Sequence, residues 1–168
     1  MSPDRLASDR DRLRALAARS PALVQVLREV GTPAREFHVR LACRGLAGVT
    51  AEKPRYRDSH DVVIKLGPHY PLMQPEVVMK TPILHPHVWT HNDHVCLGGW
   101  QVTEYLDLLV CRMFRIIQMD PKFINAKSLA NHAAYDWVTA NRRLLPLGTV
   151  DPCAPSAVTA PGIRFTRL

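Results

Sequence analysis

The sequence predicts an α+β fold in which helices flank a run of consecutive strands, and three observations support this prediction. Apolar residues recur at helical spacing near the start of the chain. Stretches with alternating or β-branched character then follow one another without a helical pattern between them. Two further helical segments end the ordered pattern near residue 143. Successive strands without intervening helices indicate an antiparallel meander packed on helices.

The first predicted element is an N-terminal helix. Ser2-Pro3 suits its cap and first helical position. Arginines occupy the side opposite the apolar residues, which are Leu6, Leu13, Leu16 and Ala17. Residues 23–30 continue at helical spacing up to Gly31 and predict a second helical piece. The valines and short length of this segment leave a strand as the alternative.

Three strands are predicted next, over residues 36–43, 60–66 and 76–80. Short connections separate them and carry turn-forming residues, namely Gly45, Gly48, Pro54, Gly67 and Pro68. With the strand alternative for residues 23–30, the meander has four antiparallel strands.

Residues 82–99 lose every helical or strand period and are rich in His, Pro, Asn, Asp and Gly. Four of the eight histidines lie within this segment, two residues or more ahead of Cys96. A long irregular segment inside a compact domain usually carries function. The sequence therefore predicts an active-site loop here.

Two helices are predicted after the loop. A central helix over residues 105–119 is apolar on most faces, which predicts burial, and Asp120-Pro121 ends it. A C-terminal helix follows over residues 127–143. Beyond it, Pro, Gly, Ala, Ser and Thr occur without a period, so the domain is predicted to span residues 1–147, with a flexible tail at 148–168.

The composition excludes several classes of protein. No apolar run approaches the ~20 residues of a membrane span, and the N-terminus lacks the apolar centre of a signal peptide. The net charge is +7, but no basic stripe interleaved with aromatics indicates nucleic-acid binding. The four cysteines form no CxxC pair, which argues against a disulfide framework and favours a reducing cytoplasm.

Three short motifs carry a resemblance to a known family. Residues 70–77 read YPLMQPEV, residues 81–88 read TPILHPHV, and residues 95–97 read VCL. In this order, and at this spacing, they resemble the motifs of ubiquitin-conjugating enzymes, over roughly residues 5–145. The element order is similar to that of the family's UBC fold as well.

The resemblance implies an enzyme that needs no cofactor or metal. Such an enzyme accepts a ubiquitin-like protein from an activating enzyme as a thioester, here on Cys96, and transfers it to an amine of a target protein, usually lysine. By analogy with the family, the N-terminal helix would dock the activating enzyme through Arg5, Arg12 and Arg19. The alternative for these arginines is an ordinary solvated helix face.

The chain also departs from the family's pattern. His87 stands where the family has the asparagine of its HPN motif, and Cys96 comes nine residues later. Trp100 follows Cys96 by only four residues. These departures resemble divergent bacterial members of ubiquitin-like conjugation systems, some of which are linked to phage defence.

The candidate catalytic residues follow from the motifs and from the needs of acyl transfer. Cys96 is the nucleophile, and His94 lies close enough in sequence to favour its thiolate. His87 is either an oxyanion donor or a brace for the loop, with Asn92 as a second donor candidate. Asn125, counted on from Asp120-Pro121, would orient the incoming amine, with His91 or Asp93 as alternative bases.

The loop sequence is also compatible with two other interpretations. Its histidines and Cys96 are all legitimate zinc ligands, but their spacing matches no common zinc motif. A non-catalytic module of the same fold, which binds a ubiquitin-like protein or a partner, is the rival to the enzyme. The presence of a cysteine at the aligned position favours the enzyme.

Overall fold

A computed structural model describes residues 3–154 and confirms the α+β prediction. Two short 3-10 turns, Pro121–Phe123 and Arg142–Leu144, follow the central and last helices. The helices are α1 (Pro3–Arg19), α2 (Leu106–Ile117) and α3 (His132–Ala140). The strands are β1 (Val24–Gly31), β2 (Ala34–Leu41), β3 (Gly45–Thr50), β4 (Lys53–Arg57), β5 (His60–Lys65) and β6 (Glu76–Met79).

Four strands form one antiparallel sheet in the order β1-β2-β5-β6. The helices α1 and α2 pack on this sheet, and their apolar side chains meet those of the strands in a single core. The predicted four-stranded meander is therefore confirmed. The irregular segment between β6 and α2 emerges at the edge of this core.

The helical interpretation of residues 23–30 is wrong, and the strand alternative is right. Val24 pairs with Leu41, and the ladder continues to Gly31 opposite Ala34. Valine fits a pleated, half-buried strand better than a helix, and pairing with β2 satisfies the backbone donors and acceptors. Apolar spacing alone could not distinguish the two because the segment is short.

The hairpin formed by β3 and β4 was predicted only as a connection. It forms a separate two-stranded sheet between β2 and β5 in the chain. Its turn residues, Ala51 and Glu52, have φ values of 47° and 61°. Tight hairpin turns with positive φ usually announce themselves by Asn-Gly or Asp-Gly, and this turn has neither.

The central helix is confirmed, and the last helix is shorter than predicted. Nine of the twelve residues of α2 are buried, in agreement with its apolar pattern. Asn131 caps α3 by accepting from the Ala134 N–H at 2.9 Å, so the helix begins at His132 rather than near residue 127. Among residues 3–154, no helix is both long and apolar enough to cross a membrane.

A buried carboxylate joins α1 to the elements around the loop. Asp9 is fully buried and accepts from the Tyr70 hydroxyl at 2.7 Å and from the Leu106 N–H at 2.9 Å. Burial raises the pKa of the Tyr70 hydroxyl, which therefore keeps its proton and donates. Arg5 pairs with Asp9 at 2.8 Å and stacks on the Tyr105 ring at 3.9 Å.

Residues after α3 return to the central helix. The Gln118 side chain exchanges two hydrogen bonds with the Val150 backbone, and Arg115 pairs with Asp151 at 2.8 Å. The predicted tail thus includes seven described residues, 148–154, that lie against α2. Residues 155–168 lie outside the described part, and the domain boundary at 147 stays a prediction.

A disulfide joins Cys111 of α2 to Cys153, with the Cα atoms 5.9 Å apart. The spacing of the cysteines argued against a disulfide framework and did not predict this single pairing of Cys111 with Cys153. They are 42 residues apart in the chain, and only the return of residues 148–154 brings them together. Because disulfides persist mainly in oxidising compartments, the pair also removes the support that cysteine usage gave to a cytoplasmic location.

We expect iodoacetamide to alkylate two cysteines when the protein is unfolded without reductant, and all four after reduction. The reason is that only Cys43 and Cys96 are free thiols. Intact-mass spectrometry checks the count. The Cys153→Ser variant should take up three groups without reductant, and four groups on the unreduced parent protein would contradict the pairing.

Candidate active site

The loop between β6 and α2 is held in a fixed shape by backbone hydrogen bonds. Its two limbs face each other, because Val88 and Val95 form an isolated antiparallel bridge. The Cys96 N–H donates to the His87 carbonyl at 2.7 Å, and the Trp89 N–H donates to the His94 carbonyl at 2.9 Å. The loop thereby places the HPH motif directly opposite Cys96.

Cys96 is the one thiol that a reagent or protein partner can reach. It is partly exposed and free. Cys43, the other free cysteine, is 4% exposed, and burial raises its pKa to about 12. Cys111 and Cys153 are joined to each other. Thiol chemistry on the folded chain therefore belongs to Cys96.

His87 connects the loop to the segment after α2. Its Nε2 accepts from the Asn125 N–H at 2.9 Å, so the neutral ring carries its proton on the buried Nδ1. Burial lowers the pKa of His87, which favours this neutral form. The ring atom that faces Asn125 is thus an acceptor, and the geometry favours the bracing role of His87 over the donor role.

The side chain of His85 holds the backbone of His87 through a hydrogen bond. Its Nδ1 accepts from the His87 N–H at 3.0 Å, which fixes the start of the loop. The side chain is fully buried, and burial, with a smaller contribution from His87, lowers its pKa to about 3. His85 is therefore neutral throughout the neutral pH range.

A cavity of about 540 Å³ opens beside Cys96. Its walls come from the loop, from α2 and from the segment that follows α2. Besides Cys96, the lining consists of His87, Leu97, Gly98, Gly99, Arg112, Ile116, Lys122, Phe123, Asn125 and Ser128. Three of the predicted site residues, Cys96, His87 and Asn125, therefore meet at one cavity.

Asn125 is exposed, and its backbone is fixed by His87. Its side-chain Oδ1 accepts from the Lys127 N–H at 3.0 Å, which orders the turn after it. The position at the cavity is compatible with the predicted contact to an incoming amine. An amide is not a base at neutral pH, so Asn125 is not a candidate for taking the proton of the amine.

The side chains of Asn92 and His94 are absent from the lining of the cavity. Asn92 Oδ1 accepts from the His94 N–H at 3.2 Å within the exposed turn of the loop. His94 Nε2 lies 3.6 Å from Glu76 Oε1 on β6. His91 packs edge-on against Trp89, with ring centroids 5.9 Å apart. In this geometry these groups shape the tip of the loop.

Arg112 is a residue of this site that was not predicted from the sequence. Its guanidinium lines the cavity and donates to the carbonyls of Leu97 and Gly99, at 3.0 Å and 2.8 Å. The available sign was a charged residue in the middle of the apolar stretch LLVCRMF. A cation at a buried helix position implies polar partners, because an unpaired charge there is costly.

The loop histidines do not gather as a metal site. Within residues 3–154, the group of three ligand atoms close enough to hold an ion consists of Cys111, Asp151 and Cys153. Two of these are joined in the disulfide, and Asp151 pairs with Arg115.

Stability is expected to fall as pH drops below about 6.5, the ordinary pKa of histidine in an unfolded chain. The unfolded chain then takes up a proton at His85 that the folded chain refuses until its pKa of about 3. This histidine alone costs up to about 1.4 kcal/mol of unfolding free energy per pH unit in that window. Urea unfolding at about pH 7, 6 and 5 measures the slope.

The His85→Asn variant is the matched control for this slope. An asparagine Oδ1 can accept from the His87 N–H but does not titrate. Burial also lowers the pKa values of His60 and His87, and both of these histidines are present in parent and variant. The variant should lose about one proton from the pH dependence. Identical slopes would show that His85 is protonated in the folded protein.

Comparison with solved structures identifies the fold. Human ubiquitin-conjugating enzyme E2 G1 superimposes with a TM-score of 0.51 and 16% identity, covering 72% of this chain and 99% of its own. A protein from Trypanosoma cruzi, named as a ubiquitin-conjugating enzyme, superimposes with a TM-score of 0.59 and 13% identity, covering 85% and 93%. No family model and no curated protein sequence matches the chain.

The class of protein that these similarities define is a UBC-fold protein. The chain has the N-terminal helix, the four-stranded antiparallel sheet and the following helices of ubiquitin-conjugating enzymes. At 13% and 16% identity, the likeness concerns the fold.

Proposed function

We propose that this chain is a conjugating enzyme for a ubiquitin-like protein. It accepts the C-terminus of that protein from an activating enzyme as a thioester on Cys96 and transfers it to an amine of a target, with lysine as the expected acceptor. The rival is a UBC-fold module that binds a ubiquitin-like protein without chemistry. No cofactor takes part in the proposed reaction.

The observation that carries this proposal is the position of Cys96. It is the reachable thiol, and it borders an open cavity large enough for the end of an extended peptide. His87 and Asn125 lie on the same cavity and are joined by a hydrogen bond. A module that only binds has no need for a reachable thiol at this place.

The roles of the polar residues follow from their partners. We propose that His87 braces the site by holding both the Cys96 N–H and the Asn125 N–H. Asn125 would then orient the acceptor amine. Asn92 and His94, which form the tip of the loop, are proposed to contact the cargo or target rather than the reacting atoms.

The proposed docking face for the activating enzyme is narrower than the sequence indicated. Arg5 is 13% exposed and is bound by Asp9 and by the carbonyls of Val102 and Glu104, so it belongs to the fold. Arg19 is exposed. Arg12 keeps 44% exposure while paired with Asp107. Arg12 and Arg19 are therefore the arginines offered to a partner.

A bacterial system for ubiquitin-like conjugation, in an antiphage or similar role, is the proposed setting. The departures from the family's motifs support it, notably His87 at the asparagine position and the short interval between Cys96 and Trp100. The proposed compartment is the cytoplasm, because the activating enzyme needs ATP.

A charging assay tests the proposal. The purified chain is mixed with ATP and a panel of ubiquitin-like proteins, each with its activating enzyme, starting with ubiquitin. One pair should give an adduct on a gel without reductant that disappears when a thiol is added. Binding of a ubiquitin-like protein without any such adduct, across the panel, would favour the non-catalytic module.

A further inference from the structure

Arg112 is a cation in the middle of α2, whose other charged residues, Asp107 and Arg115, lie in the first and last turns of the helix. Its neighbours in the chain, Cys111 and Met113, are 7% and 0% exposed, and its own side chain is 13% exposed. Removing a guanidinium from water costs several kcal/mol unless partners replace the lost hydration. A leucine at this position would carry no such desolvation cost. The contacts of the arginine must therefore offset the cost of its burial.

The guanidinium holds the turn that follows Cys96. Its Nη1 donates to the carbonyls of Leu97 and Gly99, which flank Gly98. Gly98 has a φ of 73°, in the left-handed region that favours glycine. One end of the cysteine's segment is thus bound to His87 and the other to Arg112, so α2 sets the position of the thiol.

The charge of Arg112 is only partly compensated. Glu104 pairs with its Nε at 3.0 Å, while Nη2 is buried and has no hydrogen-bond partner among residues 3–154. Burial lowers the pKa of Arg112 and raises that of Glu104, so the loss of water outweighs the attraction between the two. The Arg112 guanidinium therefore lacks part of the hydrogen bonding that would replace its lost hydration.

The cavity beside Cys96 carries a positive balance. Arg112 and Lys122 are among its lining residues, and none of the lining residues, all within 3–154, is an aspartate or glutamate. Glu104 faces a neighbouring groove lined by Gly99, Trp100 and Leu108. The walls of the cavity beside Cys96 therefore carry two cations and no carboxylate, while Glu104 approaches Arg112 from the neighbouring groove, which Arg112 also lines.

We propose that Arg112 is a positioning residue for the chemistry at Cys96, which fixes the turn after the cysteine and keeps a positive charge beside its sulfur. The part that concerns acyl transfer rests on the proposed function. The positive charge of Arg112 and its hydrogen bonds to Leu97 and Gly99 are properties of the folded chain and need no cargo.

The proposed role matches the movement of charge in the reaction. The acceptor nitrogen bonds to the thioester carbonyl carbon, and the π electrons move to oxygen. The oxyanion then re-forms the carbonyl, the carbon–sulfur bond breaks, and the Cys96 sulfur leaves as a thiolate. The proton of the amine goes to water, and no oxidant or reductant is needed. The negative charge thus forms first on the carbonyl oxygen and then on the Cys96 sulfur. A fixed cation at this place stabilises both.

The charge is tested by alkylating Cys96 in the folded, full-length chain with iodoacetate and with iodoacetamide. The ratio of the two rates reports local charge, because the reagents differ in charge and little in size. A purely structural defect slows both reagents and leaves the ratio unchanged. The Cys96→Ala variant gives the background from Cys43.

The Arg112→Gln variant should lower the iodoacetate-to-iodoacetamide ratio by about three- to tenfold, the effect of losing one partly screened charge near the sulfur. Arg112→Lys should keep the ratio, since it keeps the charge. Arg115→Gln is the matched control, because Arg115 lies on the same helix but pairs with Asp120 and Asp151. It should leave the ratio as in the parent protein.

Glu104→Gln keeps the test decisive if Arg112→Gln does not fold. Removing the carboxylate leaves the cation uncompensated, so the ratio should rise. The proposal is overturned if folded Arg112→Gln keeps the parent ratio, or if Glu104→Gln leaves the ratio unchanged or lowers it.

A small thioester extends the test to acyl transfer. Cys96 is to be acylated by thioester exchange with the thiobenzyl ester of N-acetylglycine, which releases benzyl mercaptan, and discharge to hydroxylamine is then followed by mass. Discharge should be about tenfold slower in Arg112→Gln and largely restored in Arg112→Lys, as for loss of a stabilising charge. Equal discharge in all three proteins would overturn the role in transfer. If no ubiquitin-like protein charges Cys96, the proposed function fails, while these two measurements still decide on Arg112.

Discussion

Replacement of Cys96 by alanine is expected to reduce thioester formation below detection. The nucleophile in such an exchange is a thiolate, and no other cysteine of the folded chain can supply it. Cys43 is buried with a pKa raised to about 12, and the remaining two cysteines form the disulfide. Gels run with and without reductant, after incubation with ATP, activating enzyme and cargo, measure the loss.

Two further variants make this result specific. Cys96→Ser should form an adduct slowly, and that adduct should resist reductant, because an oxygen ester replaces the thioester. Cys43→Ala removes the other free thiol and should charge at the parent rate. If Cys43→Ala lost charging while its fold stayed intact, the assignment of the thioester to Cys96 would be wrong.

Replacement of Asp9 by alanine is expected to cost about 3–5 kcal/mol of unfolding free energy, the range for breaking a buried charge network. Asp9 is fully buried, and its loss leaves the Leu106 N–H and the Tyr70 hydroxyl without their acceptor. Arg5 would lose its ion partner in the same place. Urea unfolding followed by circular dichroism measures the change.

Asp11→Ala is the control on the same helix, because Asp11 is exposed. It should change stability by no more than about 0.5 kcal/mol. Asp9→Asn keeps an oxygen that can accept from Leu106 and should lie between the two. A loss below about 1 kcal/mol for Asp9→Ala would show that water or a rearranged Arg5 replaces the carboxylate.

Elements with a strong local pattern were predictable from the sequence. The apolar pattern predicted a central helix over residues 105–119, and α2 ends at Ile117, two residues before the predicted end. The strand β1 was ambiguous because the segment is short and rich in valine although its apolar residues recur at helical spacing, and pairing with β2 decided the outcome. The hairpin of β3 and β4 was missed because Ala51 and Glu52 are not typical turn residues.

The site was predictable where a motif marks it and unpredictable where the fold assembles it. Cys96, His87 and Asn125 were chosen from the family's motifs, and all three border one cavity. Their individual roles stay predictions. Arg112 belongs to no motif, and its contacts to Leu97 and Gly99 exist only because α2 packs behind the loop.

The disulfide illustrates the same limit for long-range contacts. Cys111 and Cys153 share no spacing motif, and the latter falls in a segment without a helical or strand period. Their approach depends on the hydrogen bonds between Gln118 and Val150 and on the Arg115–Asp151 pair. Interactions of this kind, between residues more than thirty positions apart, leave no local pattern in a single sequence.

The most direct test of the central claim is the mass and location of the acyl adduct. The chain is charged with ATP, activating enzyme and ubiquitin-like protein, and peptides are then analysed by tandem mass spectrometry under non-reducing, mildly acidic conditions. The account predicts a thiol-sensitive adduct of the cargo's C-terminal residue on the peptide that contains Cys96. An adduct on a lysine or on Cys43, or one that survives added thiol, would contradict it.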